Sequence, residues 1–160
     1  MPFDFNSIAA SNLATTGFPG KECVTPVTVT STFTSGTLNN ANSTAVASLT
    51  IVGDGVSAVF LQFYCADIYC STIPSNSQIA IRLYDGTIGT TLVAQSVWNM
   101  NPTNNLNLAV GPGILSYRAP AYSGSKTFNI CLSNASATNC VAAIDAGAAT
   151  PMLFRATWGG

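Results

Sequence analysis

Five cysteines, six acidic residues and no histidine make up the reactive repertoire of this chain. Without an imidazole, the Ser-His-Asp and Cys-His arrangements that activate a nucleophile near neutral pH are missing, and so is the commonest general base. A pair of carboxylates can still hydrolyse a glycosidic bond, and the candidates are Asp4, Glu22, Asp54, Asp67, Asp85 and Asp145. Asp54 and Asp85 each precede a glycine, and Asp145 precedes Ala146-Gly147. Asp is selected at such places because its carboxylate binds nearby backbone N–H groups. Turn formation explains these three better than catalysis, so no enzyme is expected. No glycine-rich run has the spacing of a phosphate loop. Asp54, Asp67 and Asp85 are oxygen donors of the type calcium takes, but no run sets ligands at alternate positions. No metal and no cofactor are expected.

The cysteines are Cys23, Cys65, Cys70, Cys131 and Cys140. Their spacings, C-x4-C and C-x8-C, match no zinc finger or ribbon. Two readings stay open: small buried hydrophobes, or local disulfides. Phe128 to Leu132 and Asn139 to Ile144 read as the two strands of a hairpin. With its tip centred on Ala135-Ser136, Leu132 faces Asn139 and Cys131 faces Cys140. Directly opposed Cβ atoms lie about 4.5–5.5 Å apart, close to the separation a disulfide bridges. Cys65 and Cys70 form a second candidate pair across a short loop, leaving Cys23 as the odd thiol. A reducing cytoplasm argues against either bond forming there.

Aromatic side chains could stack on sugar rings. Phe63, Tyr64 and Tyr69 cluster near Cys65 and Cys70, and Trp98 and Trp158 stand at strand ends. Most fall in apolar strands, where core packing is the expectation. Asn42-Ser43-Thr44 and Asn134-Ala135-Ser136 match the glycosylation acceptor pattern, as chance predicts in a chain so rich in Asn and Ser.

The elements that must position these groups are strands. In Val27 to Thr34, Val27, Val29 and Phe33 share one face and Thr occupies the other, the pattern of a strand with one wet side. Ala45 to Val52 precedes the turn Gly53-Asp54-Gly55, and Val56 to Cys65 is apolar enough for a central strand. Gln78 to Tyr84 turns Ile79, Ile81 and Leu83 inward and Arg82 outward. The turn Asp85-Gly86 and a strand over Thr91 to Trp98 follow. Leu106 to Val110 alternates, Gly111-Pro112-Gly113 breaks the chain, and Ile114 to Tyr117 resumes it. After the turn Ser123-Gly124 come Phe128 to Leu132, Asn139 to Ile144 and Met152 to Trp158. Eight to ten short strands with Gly, Pro and Asn turns specify an all-β fold: a two-sheet antiparallel sandwich, jelly-roll-like. Residues 1–26 lack this pattern and read as an irregular N-terminal arm, with one or two helical turns over Ser7 to Ala14, preceding a β-sandwich domain over 27–160.

At 160 residues the chain suits one such domain. Its 48% hydrophobic content supplies a core, while charged residues are only 7%, against about 25% in ordinary soluble domains. Low charge weakens self-repulsion and favours association, and together with the apolar arm it predicts a homotrimer or a higher assembly. Lys21, Arg82, Arg118, Lys126 and Arg155 are scattered, whereas a phosphate backbone needs clustered cations, so no nucleic-acid partner is expected. No run reaches the roughly 20 apolar residues of a membrane-spanning helix. Met1-Pro2-Phe3-Asp4-Phe5 opens without the basic and apolar regions of a signal peptide, which reads as assembly in the cytoplasm where the chain is made.

The run Ile79-Ala80-Ile81-Arg82-Leu83-Tyr84-Asp85-Gly86-Thr87-Ile88-Gly89-Thr90-Thr91-Leu92-Val93-Ala94-Gln95-Ser96 resembles a strand–turn–strand unit of tailed-phage virion proteins, among them capsid decoration (cement) proteins and fibre-head domains. The closing Pro151-Met152-Leu153-Phe154-Arg155-Ala156-Thr157-Trp158 is similar to the last strand of such domains. The resemblance covers about 90 residues of the chain and carries no catalytic residues. It implies a trimeric jelly-roll-like sandwich displayed on a virion surface after assembly in the host cytoplasm, with the major capsid protein or another virion protein as partner. The expected function is decoration of a bacteriophage capsid at joints between its subunits. A receptor-binding fibre head and a secreted carbohydrate-binding module or adhesin are the alternatives, and five cysteines keep the secreted one open.

Overall fold

The computed structural model describes residues 22–38, 43–72, 77–100, 108–134 and 140–159. Ten strands carry most of them: β1 (Val27–Val29), β2 (Phe33–Leu38), β3 (Ser43–Asp54), β4 (Ala58–Thr72), β5 (Ser77–Asp85), β6 (Thr91–Met100), β7 (Leu108–Ala119), β8 (Ser123–Asn134), β9 (Cys140–Asp145) and β10 (Met152–Gly159). The period of two in the sequence sets their faces. In β10, Met152, Phe154, Ala156 and Trp158 are buried, while Leu153, Arg155 and Thr157 turn the other way and stay half-exposed.

One sheet is built around β4. Strand β7 runs along one of its edges, and β10 followed by β9 runs along the other. Strand β1 lies outside β10, and β2 lies outside β9. The second sheet has the order β3-β8-β5-β6. Strands β1 and β2 behave as one interrupted strand, and β9 and β10 as another. Counted so, the molecule is an eight-stranded, double-sheet jelly roll, as the sequence pattern predicts. Its pairs are β1/β2 with β10/β9, β3 with β8, β4 with β7, and β5 with β6. The chain is thus one long hairpin folded about the β5–β6 turn and curled into two layers.

The inward faces meet in a single core that includes Ile51, Leu61, Phe63, Ile81, Phe128 and Phe154. Each such side chain contributes about 1.5–3 kcal/mol through burial. The Phe63 and Phe154 rings meet edge to face at 6.4 Å, the arrangement the ring quadrupoles favour.

Four expectations are corrected. Val27 to Thr34 is not one strand: the chain breaks at residues 30–32, beside the break between β9 and β10. Thr32 ties the two breaks together, its hydroxyl donating to Asp145 Oδ1 at 2.7 Å. Second, Gly111-Pro112-Gly113 does not end a strand. Strand β7 passes through it as a bulge, with Gly111 at φ 88° and the register shifting opposite Cys65 and Ile68. A proline without an N–H and a glycine free of Cβ strain suit a bulge. Third, Ser123-Gly124 begins β8 instead of forming a separate turn.

Fourth, the hairpin of Phe128–Leu132 with Asn139–Ile144 does not form. Strand β8 pairs with β3 and β5 in one sheet, and β9 pairs with β2 and β4 in the other. Cys131 therefore stands opposite Ala45 and Arg82, and Cys140 stands opposite Leu38. The long-range partners of each strand outcompete its chain neighbour, so β8 and β9 belong to different layers.

Of the N-terminal arm, residues 22–26 are described. Glu22 bridges to Thr157, the Cys23 N–H donates to the Ala156 carbonyl at 2.9 Å, and Cys23 and Val24 pack on the core. Residues 1–21, including the Ser7 to Ala14 helical turns and Asp4, lie outside the described residues.

Candidate functional site

Each acidic side chain proposed as turn-former or ligand has its own local partner. Asp54 closes the β3–β4 turn: its Oδ1 accepts the Val56 N–H at 2.8 Å and the Ser57 N–H at 2.7 Å. The N–H groups of Ser57 and Val56 hold this carboxyl below its ordinary range. Asp67 accepts the Gly111 N–H at 3.0 Å and so supports the β7 bulge. Asp85 pairs with Lys126 at 2.6 Å. Strand register sets Asp67 directly opposite Asp145 across β4 and β9. Asp67 accepts from the Gly111 N–H and Asp145 from the Thr32 hydroxyl, while Asp54 and Asp85 stand apart at the ends of β3 and β5. Among the described residues, no three His, Cys, Asp or Glu side chains gather as a metal site would require.

The cysteines are placed by the strands. Cys65 and Cys70 are not separated by a loop; both lie on β4, with side chains in the core. A strand rises about 3.3 Å per residue, so their Cα atoms stand far beyond the roughly 7 Å a disulfide tolerates, and they cannot bond to each other. Burial is the main cause that pushes the Cys65 thiol up to about 11, and burial alone takes Cys131 to about 12. The side chain of Cys140 lies outside the described residues, and with it any bond to Cys131. Among the aromatics, Phe63 and Trp158 are core residues and Trp98 packs against the core. Asn134 is fully buried, a poor position for a glycan; Asn42 lies outside the described residues.

Two surface features remain; the sequence pointed to Tyr64 in the first and to the Gly53-Asp54-Gly55 turn in the second, but not to the residues gathered around them. The first is the outward face of the β4 sheet. Register places its side chains in rows: Leu153, Tyr64 and Ile114 form one, and Arg155, Gln62 and Ser116 the next. Beyond them lie Thr157, Phe60 and Arg118. Gln62, Phe63, Tyr64, Ile114, Leu153 and Arg155 line a shallow depression of about 310 Å³. Ile114 is 61% exposed and Tyr64 44%. Nε and Nη2 of Arg155 both donate to Gln62 Oε1, at 3.0 and 2.7 Å. The available sequence signal was Arg155 itself, the one charged residue in the wet slots of an otherwise apolar strand.

The second feature is the β3–β4 turn. It carries the two most exposed large hydrophobic side chains described, Val56 at 85% and Val52 at 67%. The turn is rigid. Gly55 sits at φ 81° and donates its N–H to the Tyr122 carbonyl at 2.8 Å, and Asp54 binds the other side. Ile51-Val52 was the signal: two adjacent apolar residues in a strand cannot both face the core.

No family model matches this sequence, and no curated protein does. Among solved structures, the fold overlaps loosely with the structure of infectious bursal disease virus Gx strain, at 10% identity over 84% of this chain and 40% of that one, with a TM-score of 0.28. A second overlap is with the infectious bursal disease virus VP2 subviral particle, at 9% identity over 82% of this chain and 40% of that one, with a TM-score of 0.25. The chain spans 40% of the length of each of these proteins.

Proposed function

We propose that this protein is a non-catalytic virion structural protein that decorates a capsid, seated at joints between capsid subunits. The observation that carries this reading is the β3–β4 turn. Val52 and Val56 are held in water by a turn that Asp54, Gly55 and Tyr122 make rigid. A rigid apolar projection suits insertion into a groove of a partner, because its ordering entropy is already spent before binding. The nearly uncharged surface, with 7% charged residues, removes the long-range repulsion that would oppose dense packing on a particle. The partner in this reading is the major capsid protein or another virion protein, with the decorating unit a homotrimer on the particle surface.

The test is cosedimentation of the purified protein with particles built from a capsid protein encoded beside its gene. Val56→Lys should abolish attachment while leaving the thermal midpoint of the free protein unchanged. Attachment that survives Val56→Lys and Val52→Lys together would sink the turn as the anchor, and a gene neighbourhood without virion components would sink the virion role. A receptor-binding head is the second reading, favoured by the depression beside Arg155.

A further inference from the structure

We propose that the depression between β10, β4 and β7 binds a sugar carrying a carboxylate, with Arg155 as its anion-binding residue. The charge balance of this face comes first. Among the described residues the one ion pair is Lys126–Asp85, on the other sheet. Arg155 is oriented by an amide, Gln62, and not by a carboxylate. An amide oxygen fixes the guanidinium without neutralising it. Of its five N–H donors, two go to Gln62, and three are left for a ligand. Arg118 stands on the same face, opposite Phe60, and adds a second positive charge. Glu22 stands opposite Thr157 at one end of this sheet, and Asp67 and Asp145, opposite each other on β4 and β9, lie toward the other end. None of these forms an ion pair with Arg155 among the described residues, so the Arg155 charge is not answered by a neighbouring acid.

The shape and chemistry of the rows identify the class of ligand. A depression of about 310 Å³ falls at the small end of ligand pockets, roughly 300–1,000 Å³, and suits a single ring. Leu153, Tyr64 and Ile114 offer an apolar shelf with a phenol hydroxyl at its centre. Arg155, Gln62 and Ser116 run beside it as a row of polar groups. A pyranose has a matching division, with an apolar C–H face that packs on an aromatic ring and hydroxyls around its rim. An exocyclic carboxylate on that ring meets the free edge of a guanidinium in the two-bond geometry that makes such pairs strong. A neutral sugar would leave the Arg155 charge unanswered, and a bare carboxylate would leave the shelf empty.

The experiment is titration of the full chain, followed by NMR or calorimetry, with N-acetylneuraminic acid and glucuronic acid. Glucose, N-acetylglucosamine, acetate and N-acetylaspartate are the comparison ligands. We expect saturable binding of at least one acidic sugar with a Kd of about 1 mM, and at least tenfold weaker binding of every comparison ligand. Gln62→Glu supplies Arg155 with an internal carboxylate in place, so it should cut acidic-sugar binding at least tenfold without lowering the thermal midpoint. Arg155→Lys keeps the charge but loses the two-bond edge and should weaken binding severalfold. Acetate or N-acetylaspartate binding as tightly as the acidic sugars would overturn the sugar assignment. So would the absence of saturable binding, or binding indifferent to Gln62→Glu. The site does not include the Val52–Val56 turn, so failure here leaves capsid attachment standing, and loss of attachment leaves this site standing.

Discussion

At Gly113 a methyl group would sit 2.6 Å from Cys65 Sγ and under 3 Å from the Cδ1 atoms of Ile68 and Ile81. The neighbours are buried core side chains on two strands, so they have little room to yield. Gly113→Ala is expected to destabilise the protein by about 1–3 kcal/mol, read as a drop in the urea midpoint with an unchanged slope. The same scale governs the response to alkali. Burial, the largest cause at each, raises the thiols of Cys23 and Cys65 to about 11, Cys131 to about 12 and the Tyr122 phenol to about 12. These groups are neutral when protonated, and their folded pKa values lie above the ordinary 9.0 of a thiol and 10.0 of a phenol. Their contribution to stability is therefore intact below about pH 9 and is lost as pH rises through 11 to 12, because the unfolded chain gives up the protons first. Urea midpoints measured under reducing conditions should be level from pH 7 to 8.5 and fall steeply above about pH 9. A curve still level at pH 11 would mean that these side chains are not desolvated.

Among elements, the β3–β4 turn makes the sharpest forecast. Asp54→Ala removes the acceptor of two backbone N–H groups and should lower the urea midpoint. Asp54→Asn retains an acceptor oxygen and should lower it less than half as much; an equal fall for both would show that the charge, and not the geometry, holds the turn. This turn was legible in the sequence because Gly-Asp-Gly is local chemistry. So were most strands, since alternation such as Ile79, Ile81 and Leu83 against Ala80 and Arg82 is written within a few residues. The breaks were less legible. Val27 to Thr34 alternates without interruption, and only the matching gap between β9 and β10, met through Thr32 and Asp145, opens it. The crossing after β8 was hidden for the same reason: the local signal for a hairpin is strong, while the pairing of β8 with β3 and β5 is written far away in the chain. The depression is the extreme case. Arg155 and Gln62 stand 93 residues apart in sequence, and only the β10–β4 register brings them together.

For the whole molecule, a homotrimer remains the expected state. Light scattering on the isolated protein should report three chains, and a monomer at every concentration would remove the trimer from the proposed function. The pairing scheme has a further consequence, for how such a chain is made. Among the described residues, every strand pair joins one strand before the Gly86–Gly89 turn to one after it. A ribosome releasing this chain from its N-terminus must therefore expose β1 to β5 with no sheet partner available to any of them. The first to be matched is β5, when β6 emerges, and the last is β1, which waits for β10. Sheet formation begins only once β6 has been made, and it runs in the reverse of the order in which the first five strands were made. Closing so many distant pairs is slow, and unpaired edges invite capture by chaperones or by other nascent chains meanwhile. The same scheme makes the two halves obligate complements. A chain cut between Thr87 and Ile88 should give two fragments that lack sheet structure by circular dichroism when apart and recover it on mixing at equal amounts. Sheet structure in the first fragment alone would show that its strands find one another without the second half.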